Sequence, residues 1–186
     1  MNAEKRELRD KMREEAKRHS TEERADASQQ ICERIRTQAV WKQANKVLLF
    51  VPTSHEPDIW PLVKDRKQVS LPAFNAQLGR YEAREIKDDN DLVVGQFGIQ
   101  EPKSTCPLAD LGALDLVLAP GIAFALDGTR LGRGKGYYDR LLEKVQASKI
   151  GVCFDWQVLP QIPRDGHDIL MDYLATPTLW RSGAHR

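Results

Sequence analysis

The fold of this chain follows from two segments, DLVLAPGIAF (115–124) and RLGRGKGYYDR (130–140). The first has the continuous apolar run of a buried parallel strand, and the second sets alternating glycines among basic residues before a helix-forming stretch. Glycines allow backbone N–H groups to crowd around an anion, and the N-terminus of the following helix adds positive potential. The two segments therefore predict a phosphate-binding loop at the end of a strand.

A tight turn is the structural alternative, because glycines often join a strand to a helix without binding anything. Arg130, Arg133 and Lys135 favour anion binding, since purely structural turns usually carry Asn, Asp, Ser or Pro. The spacing excludes both common nucleotide motifs. Gly136 stands where a Walker A loop has Ser or Thr, and the glycines alternate instead of following Gly-x-Gly-x-x-Gly.

Strand and helix signals alternate along most of the chain. We predict helices at 3–17, 58–64 and 137–146, another that begins at a capping box at 20–23, and strands at 47–51, 69–71, 80–86, 116–118, 123–126 and 150–154. This order predicts an α/β fold, a three-layer sandwich with a mostly parallel central sheet and helices on both faces. Ligands of such sheets bind beyond the carboxyl ends of the strands. The aperiodic segment 88–107 is expected to be a binding loop, and the sequence leaves its closure over a ligand open.

The bulk composition narrows the class of protein. A length of 186 residues predicts a single domain spanning 1–186, with residues 182–186 as a frayed tail. The net charge of +1 argues against nucleic-acid and membrane partners. The three cysteines lack Cys-x-x-Cys spacing, and the charged start lacks a signal segment. We therefore expect a cytoplasmic monomer with reduced thiols that acts on small molecules.

Several motifs, in the right order over nearly the whole chain, carry a resemblance to a known family. They are Lys5-Arg6-x-Leu8-Arg9, Glu56-Pro57-Asp58, GIQEP (98–102), LAPG (118–121) with Phe124, the segment from Gly128 to Asp139 that contains the glycine loop (residues 130–137), and the stretch from Gln157 to Asp168. Together they resemble the 5-formyltetrahydrofolate cyclo-ligase family. The resemblance implies an α/β sandwich enzyme that uses ATP and Mg²⁺ to convert 5-formyltetrahydrofolate to 5,10-methenyltetrahydrofolate, releasing ADP and phosphate through an N5-iminium phosphate.

The resemblance also implies roles for particular residues of this chain. The ATP contacts would be Lys5, Arg6, Arg9, Arg130, Leu131, Gly132, Arg133, Gly134, Lys135, Gly136, Tyr137 and Tyr138. The folate contacts would be Val51, Glu56, Arg133, Gly134, Lys135, Gly136 and Tyr137. The catalytic residues would be Arg133, Lys135 and Tyr137. The magnesium ligands would be Asp139 and Asp168, with Asp172 as the competitor for the second position.

Each of these assignments has a plainer alternative. Lys5 and Arg9 are one helical turn apart and could form a solvated basic stripe. Tyr138 begins an apolar helical stripe and could belong to the core, which makes Tyr137 the better ligand contact. Glu56 could be an ordinary acidic loop residue, although a carboxylate suits the N–H donors of a pterin.

Flat ligands need aromatic walls, and Trp60, Phe97 and Trp156 are the candidates, each of which could instead be a core residue. Two other functions compete with the cyclo-ligase. One is a different small-molecule kinase or ligase that depends on ATP and shares the loop. The other is a module without enzymatic activity that binds nucleotides or nucleic acid through the basic first helix.

Overall fold

The computed structural model describes residues 3–183 and is built around a seven-stranded sheet. The helices are α1 (Ala3–Ala16), α2 (Thr21–Thr37), α3 (Ala39–Gln43) and α4 (Tyr137–Leu142). The strands are β1 (Lys46–Leu48), β2 (Gln68–Asn75), β3 (Arg80–Ile86), β4 (Leu92–Val94), β5 (Gln100–Pro102), β6 (Leu116–Ala119), β7 (Ala123–Ala125), β8 (Arg130–Leu131), β9 (Ser148–Val152), β10 (Val158–Leu159), β11 (Tyr173–Ala175) and β12 (Trp180–Ser182). Short 3₁₀ helices cover Trp60–Lys64, Asp89–Asp91, Leu111–Ala113 and Asp155–Gln157.

The strands of the large sheet follow the order β12-β11-β9-β6-β1-β2-β3. From β11 to β2 all neighbours are parallel, and an antiparallel strand flanks them at each edge. The central strand β6 is buried along its whole length, as its continuous apolar sequence requires. The prediction of a mostly parallel central sheet is therefore confirmed.

Helices cover both faces of this sheet. Ile31 and Ile35 of α2 and Trp41 of α3 belong to the apolar cluster on one face, and Leu141 and Leu142 of α4 belong to the cluster on the other. Burial of these stripes is the main stabilising contribution of the helices. The predicted three-layer sandwich is confirmed.

A second sheet of three short strands, β10-β7-β8, holds α1 in place. Met12 of α1 packs with Ala123, Leu131 and Ile162 in a separate apolar cluster. Because β8 leads directly into the glycine loop, this cluster brings the first helix of the chain beside that loop. None of the helices within residues 3–183 has the length and apolarity needed to span a bilayer.

Several element boundaries differ from the sequence predictions, among them those of β9, which spans Ser148–Val152 instead of 150–154. Strand β1 ends at Leu48 instead of Val51, and α4 ends at Leu142 instead of Gln146. The predicted helix at 58–64 is a 3₁₀ helix that begins at Trp60. Strand β2 is longer than expected because its ladder with β3 continues to Asn75. The capping box of Ser20 and Glu23 is confirmed.

Several elements were missed by the sequence patterns, among them α3 and the two-residue strands β8 and β10. Segment 88–107 contains a short β4–β5 hairpin, whose three-residue strands are too short to show a period. Strands β11 and β12 were also not predicted. Ser182 lies in β12 and pairs with Tyr173, so the expectation of a frayed tail is wrong for this residue. Residues 184–186 lie outside the described part of the chain.

Candidate functional site

A cavity of about 300 Å³ opens where the chain leaves the carboxyl ends of β1 and β6. Phe50 and Val51 reach it after β1, and Pro120 and Gly121 reach it after β6. Parallel strands end at the same edge of a sheet, so residues distant in sequence converge there. The cavity therefore lies at the edge where the sequence predicted a ligand.

The glycine loop adopts a backbone conformation that side chains disfavour. Gly134 has φ of +97° and Gly136 has φ of +64°, both in the left-handed region. A Cβ on Gly134 would lie 3.3 Å from Cζ of Arg9. Glycine is thus required here both for the turn and for the close approach of a cation.

Lys5 and Arg9 are buried, with 6% and 8% of their surface exposed. Lys5 Nζ donates to Asp165 at 2.8 Å and to Asp168 at 2.5 Å. Arg9 Nε donates to the carbonyl of Gly132 at 2.8 Å. The alternative of a solvated basic stripe is therefore wrong for these two cations, because both are locked against other parts of the chain. Arg6 is exposed.

The charges around Lys5 stabilise each other. Burial opposes both ionised forms, but the mutual hydrogen bonds outweigh it, so the pKa of Lys5 is raised and that of Asp168 is lowered. Burial lowers the pKa of Arg9, and its Nη1 has no hydrogen-bond partner among the described residues. A buried, unsatisfied guanidinium N–H beside a glycine loop suits an added anion.

Arg130 forms the buried floor of the loop. Its Nη2 donates to Asp139 at 2.7 Å, its Nη1 donates to the carbonyl of Pro120, and its guanidinium lies over the ring of Tyr138. Arg130 is 5% exposed. Together, Lys5, Arg9 and Arg130 are the inner cations of the site, each held in place by oxygens of the protein.

Two further basic residues, Arg133 and Lys135, are the outer cations. The side chain of Arg133 is 57% exposed, and its Nη2 donates to Glu56 and to Thr53, both at 2.9 Å. The ammonium of Lys135 lies 5.5 Å from the ring centre of Phe97 and 6.0 Å from that of Tyr137. Both residues line the cavity and face solvent, so they can exchange partners when a ligand arrives.

Aromatic rings form one wall of the cavity. Tyr81 of β3 makes edge contacts with Phe74, Tyr137 and Tyr138 at centroid distances of 5.7 to 5.8 Å. Phe97, on the tip of the β4–β5 hairpin, contacts Phe74 and Tyr137. Such rings offer flat apolar faces to a planar ligand.

The candidates for aromatic walls now separate. Phe97 lines the cavity, whereas Trp60 packs against the core beside α2 and Trp156 stacks between His19 and Phe154. The structure thus contradicts the suggested role of Trp60 and Trp156 in this cavity. Tyr138 both lines the cavity and packs on the core, and burial raises its pKa well above the usual value.

The predicted site residues fall into two groups. Those that line the cavity are Val51, Glu56, Arg130, Gly132, Arg133, Lys135, Gly136, Tyr137, Tyr138 and Asp139. Those outside the lining are Lys5, Arg6, Arg9, Leu131, Gly134 and Asp168. Lys5, Arg9 and Asp168 are nevertheless linked to each other or to the loop. The side chain of Leu131 is fully buried in the cluster with α1, which leaves only its backbone for a ligand.

The two predicted magnesium ligands, Asp139 and Asp168, accept hydrogen bonds from different residues. Asp139 lines the cavity and accepts a hydrogen bond from Arg130. Asp168 accepts hydrogen bonds from the ammonium of Lys5 and from the backbone N–H of Asp165. The competing Asp172 accepts from the N–H of Lys149 at the start of β9. Contact with Lys5 therefore associates Asp168, and not Asp172, with the predicted ATP residues.

Sequence reasoning did not assign a role to several residues that the fold brings to the site. Asp165 and His167 have ligand atoms within 4.8 Å of those of Asp168. Tyr81 lines the cavity from an edge strand, and Glu101 lines it from β5. Glu101 belongs to the GIQEP motif, so a family motif without an assigned role was the signal that could have found it.

Comparison with known proteins gives the family. The sequence model described as the 5-formyltetrahydrofolate cyclo-ligase family matches residues 1–177. This chain belongs to that family. The cyclo-ligase of Mus musculus is 27% identical and aligns over 92% of this chain and 93% of its own length. The cyclo-ligase of Escherichia coli is 30% identical, over 84% and 91% respectively.

Solved structures of related proteins agree with this membership. The 5,10-methenyltetrahydrofolate synthetase of Aquifex aeolicus matches this cyclo-ligase family member with a TM-score of 0.88 and 34% identity, over 98% of this chain and 94% of that one. The synthetase of Mycoplasma pneumoniae matches with a TM-score of 0.72 at 22% identity, which supports the fold alone. The resemblance inferred from the motifs is confirmed, and with it the classification as an enzyme.

Proposed function

We propose that this protein converts 5-formyltetrahydrofolate to 5,10-methenyltetrahydrofolate in a reaction that consumes ATP, depends on Mg²⁺ and releases ADP and phosphate. The observation that carries the proposal is the cavity itself. Its lining combines the outer cations of a glycine loop with aromatic rings and a carboxylate. An anionic phosphate chain and a flat, N–H-rich ring are the two ligands that such walls complement.

The chemical difficulty of the reaction is the formyl oxygen, which is a poor leaving group. We infer that this oxygen attacks the γ-phosphorus of ATP, so that ADP departs and an N5-iminium phosphate forms. N10 then attacks the activated carbon, loses its proton, and the C–O bond breaks as phosphate leaves. The formyl oxygen thus ends in the released phosphate. Such chemistry depends on positioning and on charge neutralisation more than on a protein nucleophile.

The ATP side of the site follows from the loop. Backbone N–H groups between Gly132 and Tyr137, together with the outer cations, would bind the phosphates. Arg9 supports this assignment, because its unpartnered Nη1 lies beside the loop that its Nε already contacts. Lys5 and Arg130 would act as fixed positive charges behind the loop, and the exposed Arg6 would contribute at its rim.

The folate side is assigned to the part of the lining that carries Val51 and Glu56. Val51 and Glu56 line the cavity, and Glu56 holds Arg133 over its mouth through a 2.9 Å ion pair. Tyr137 stands where the two sides meet, packed against Phe74 and Tyr81. We propose that Arg133, Lys135 and Tyr137 surround the reacting phosphoryl group and are the catalytic residues.

The carboxylates of the site suit a magnesium ion. Only Oδ1 of Asp139 accepts a hydrogen bond from the described residues, which leaves Oδ2 as a hard oxygen donor in the cavity. The hydrogen bonds that Asp168 accepts from Lys5 and Asp165 both fall on Oδ2, which leaves its Oδ1 without a donor among the described residues. We propose that Asp139 and Asp168 hold Mg²⁺ with the nucleotide, where the ion would neutralise phosphate charge.

The direct test is an assay of the purified protein with 5-formyltetrahydrofolate and MgATP, followed through the absorbance of the methenyl product. Product should form only when both substrates and Mg²⁺ are present, and one ADP should appear per turnover. A well-folded protein that makes no product under these conditions would contradict the proposal. Product formed without ATP would contradict the phosphorylated intermediate.

We further propose that the enzyme acts as a cytoplasmic monomer of one domain whose partners are these small molecules. The buried, engaged state of Lys5 and Arg9 argues against the competing nucleic-acid module, because the phosphates of a nucleic-acid strand bind cations exposed along a protein surface and not a single N–H group beside a buried loop. Sedimentation equilibrium with and without substrates tests the monomer. If the protein used ATP on another small molecule and folates did not compete with that molecule, the protein would instead be a different kinase or ligase.

A further inference from the structure

Two glutamates line the cavity, and they differ in how their oxygens are used. Both oxygens of Glu56 are engaged: Oε2 accepts from the N–H and hydroxyl of Thr53, and Oε1 accepts from Arg133. Glu101 makes one hydrogen bond, from the N–H of Phe74 to Oε2 at 2.9 Å. Within residues 3–183 no donor bonds its Oε1, and no cation pairs with it. Glu101 therefore brings an unbalanced carboxylate to the cavity.

The fold fixes the position of this carboxylate. Strand β1 pairs with β2 only from Gln68 to Ser70, so the same edge of β2 has no neighbouring strand beyond that point. Glu101 lies on β5, from where it takes the Phe74 N–H at this open edge. A Cβ on Gly95 would clash with Cδ of Glu101, so the carboxylate is packed between the hairpin and the sheet.

Burial makes the free oxygen significant. Glu101 is 7% exposed, and a buried carboxylate is costly unless donors satisfy it. The described side-chain atoms that have neither solvent contact nor a hydrogen-bond partner do not include Oε1 of Glu101, so this oxygen is accessible to solvent. Glu101 lines the cavity, and it contacts solvent there. A ligand that fills the cavity displaces this water, and it must then supply N–H donors in its place.

The surroundings restrict the shape of that ligand. Burial raises the pKa of Tyr81, and the neighbouring carboxylate of Glu101 raises it further, so the two side chains lie close together. Phe74, Phe97 and Tyr137 supply the neighbouring aromatic faces. A planar heterocycle with N–H donors along one edge satisfies both requirements.

We propose that Glu101 recognises the pterin edge of the folate, accepting hydrogen bonds from the ring N–H and the exocyclic amine through its carboxylate. The proposal rests on the folate substrate proposed above. It adds Glu101 to the folate side beside Glu56, whose oxygens already accept hydrogen bonds from Thr53 and Arg133. Glu101 thereby becomes a specificity-determining residue for the ring, while Glu56 holds the outer cation.

The first measurement compares binding of 5-formyltetrahydrofolate, without ATP, to the wild-type protein and to Glu101→Gln by calorimetry. The amide oxygen of glutamine can still accept the Phe74 N–H, so the hairpin stays attached. Its NH₂ group cannot accept from the ligand, and loss of charged hydrogen bonds should raise Kd about 10- to 100-fold. The KM for MgATP should be unchanged. Glu82→Gln is the control, because Glu82 is a half-buried glutamate that lies outside the cavity lining and pairs with Arg84.

The second measurement separates a direct contact from an effect on the hairpin. The 2-desamino analogue of 5-formyltetrahydrofolate lacks one of the donors. The wild-type protein should bind it at least about 10-fold more weakly than the parent folate, whereas Glu101→Gln should bind both almost equally. Glu101→Asp, which keeps the charge but withdraws the oxygens, should discriminate less than the wild type. It provides the comparison if the glutamine variant is unstable.

The possible outcomes distinguish this proposal from the one on which it rests. An active wild type with unchanged folate binding in Glu101→Gln overturns the role of Glu101 alone. An equal penalty for the analogue in wild type and variant also overturns it, since Glu101 would then act only by attaching the hairpin. A wild type that neither binds nor converts the folate overturns the proposed function and the role of Glu101 together.

Discussion

The inner and outer cations of the site differ in what holds them. Lys5, Arg9 and Arg130 are buried, and each bonds an oxygen of the protein. Arg133 and Lys135 lie only a few residues beyond Arg130 in the glycine loop, but they are exposed at the cavity. Charge alone therefore does not predict the role of a basic residue in this protein.

This difference between buried and exposed cations explains how an anion-binding site keeps its conformation without a ligand. Buried ion pairs resist rearrangement, because separating them leaves an uncompensated charge in a poorly hydrated place. Exposed pairs contribute little to stability and exchange partners readily. The inner cations should thus maintain the loop, and the outer cations should act on the substrate. Four substitutions test this division, and their expected effects fall from the first to the last.

Asp139→Ala should have the largest effect. It removes the carboxylate that pairs with Arg130 and leaves a buried guanidinium without its counter-ion. We expect a loss of about 3 kcal/mol in the free energy of unfolding, measured by urea denaturation. The control is Asp10→Ala, which breaks the exposed pair of Asp10 with Arg13 and should cost nothing measurable. Equal stability of the two variants would contradict the structural role of the inner cations.

Lys135→Ala tests the outer cations. The variant should fold normally, because Lys135 is exposed and its ammonium lies against the rings of Phe97 and Tyr137. Loss of one positive charge at the phosphates should lower kcat/KM for MgATP about 100-fold. Steady-state kinetics at saturating folate gives this value. Lys144→Ala removes an exposed lysine outside the cavity lining and should behave as the wild type. A similar small change in both variants would withdraw Lys135 from the site.

Glu56→Ala tests how the position of an outer cation matters, because it removes the ion-pair partner of Arg133 and leaves the charge of Arg133 in place. Arg133 would lose its 2.9 Å partner and its fixed position over the cavity. We expect KM for 5-formyltetrahydrofolate to rise about 10-fold while KM for MgATP changes less. Glu85→Ala, on an edge strand outside the cavity lining, is the control. An unchanged KM for the folate would remove Glu56 from the folate side.

Gly134→Ala should have the smallest effect. At φ of +97° an alanine is strained, and its Cβ would press on Arg9 at 3.3 Å. We expect a loss of about 1 kcal/mol in the free energy of unfolding, measured by urea denaturation. Gly166→Ala is the control, since a Cβ there meets nothing within 4 Å and its φ lies outside the strained region. Equal stability of the two variants would show that the loop relaxes around the new side chain.

Local patterns predicted much of the fold. Continuous apolar runs gave the buried strands β1, β6 and β9, and a capping box gave the start of α2, because period and end signals are properties of neighbouring residues. The β4–β5 hairpin and strands β11 and β12 escaped prediction. Each strand has only three residues, and its conformation depends on pairing with a distant partner.

The family, the α/β class and the loop where the outer cations lie could all be predicted from the amino-acid sequence, since motifs and periodicity are properties of neighbouring residues. Which cations are buried follows from the folded structure, because the partners of Lys5 lie 160 and 163 residues away along the chain. The folded structure also decided that Glu56 is committed to Arg133 while Glu101 keeps an oxygen without a donor. Burial and hydrogen-bond satisfaction are relations between distant segments, and no window along the chain contains them.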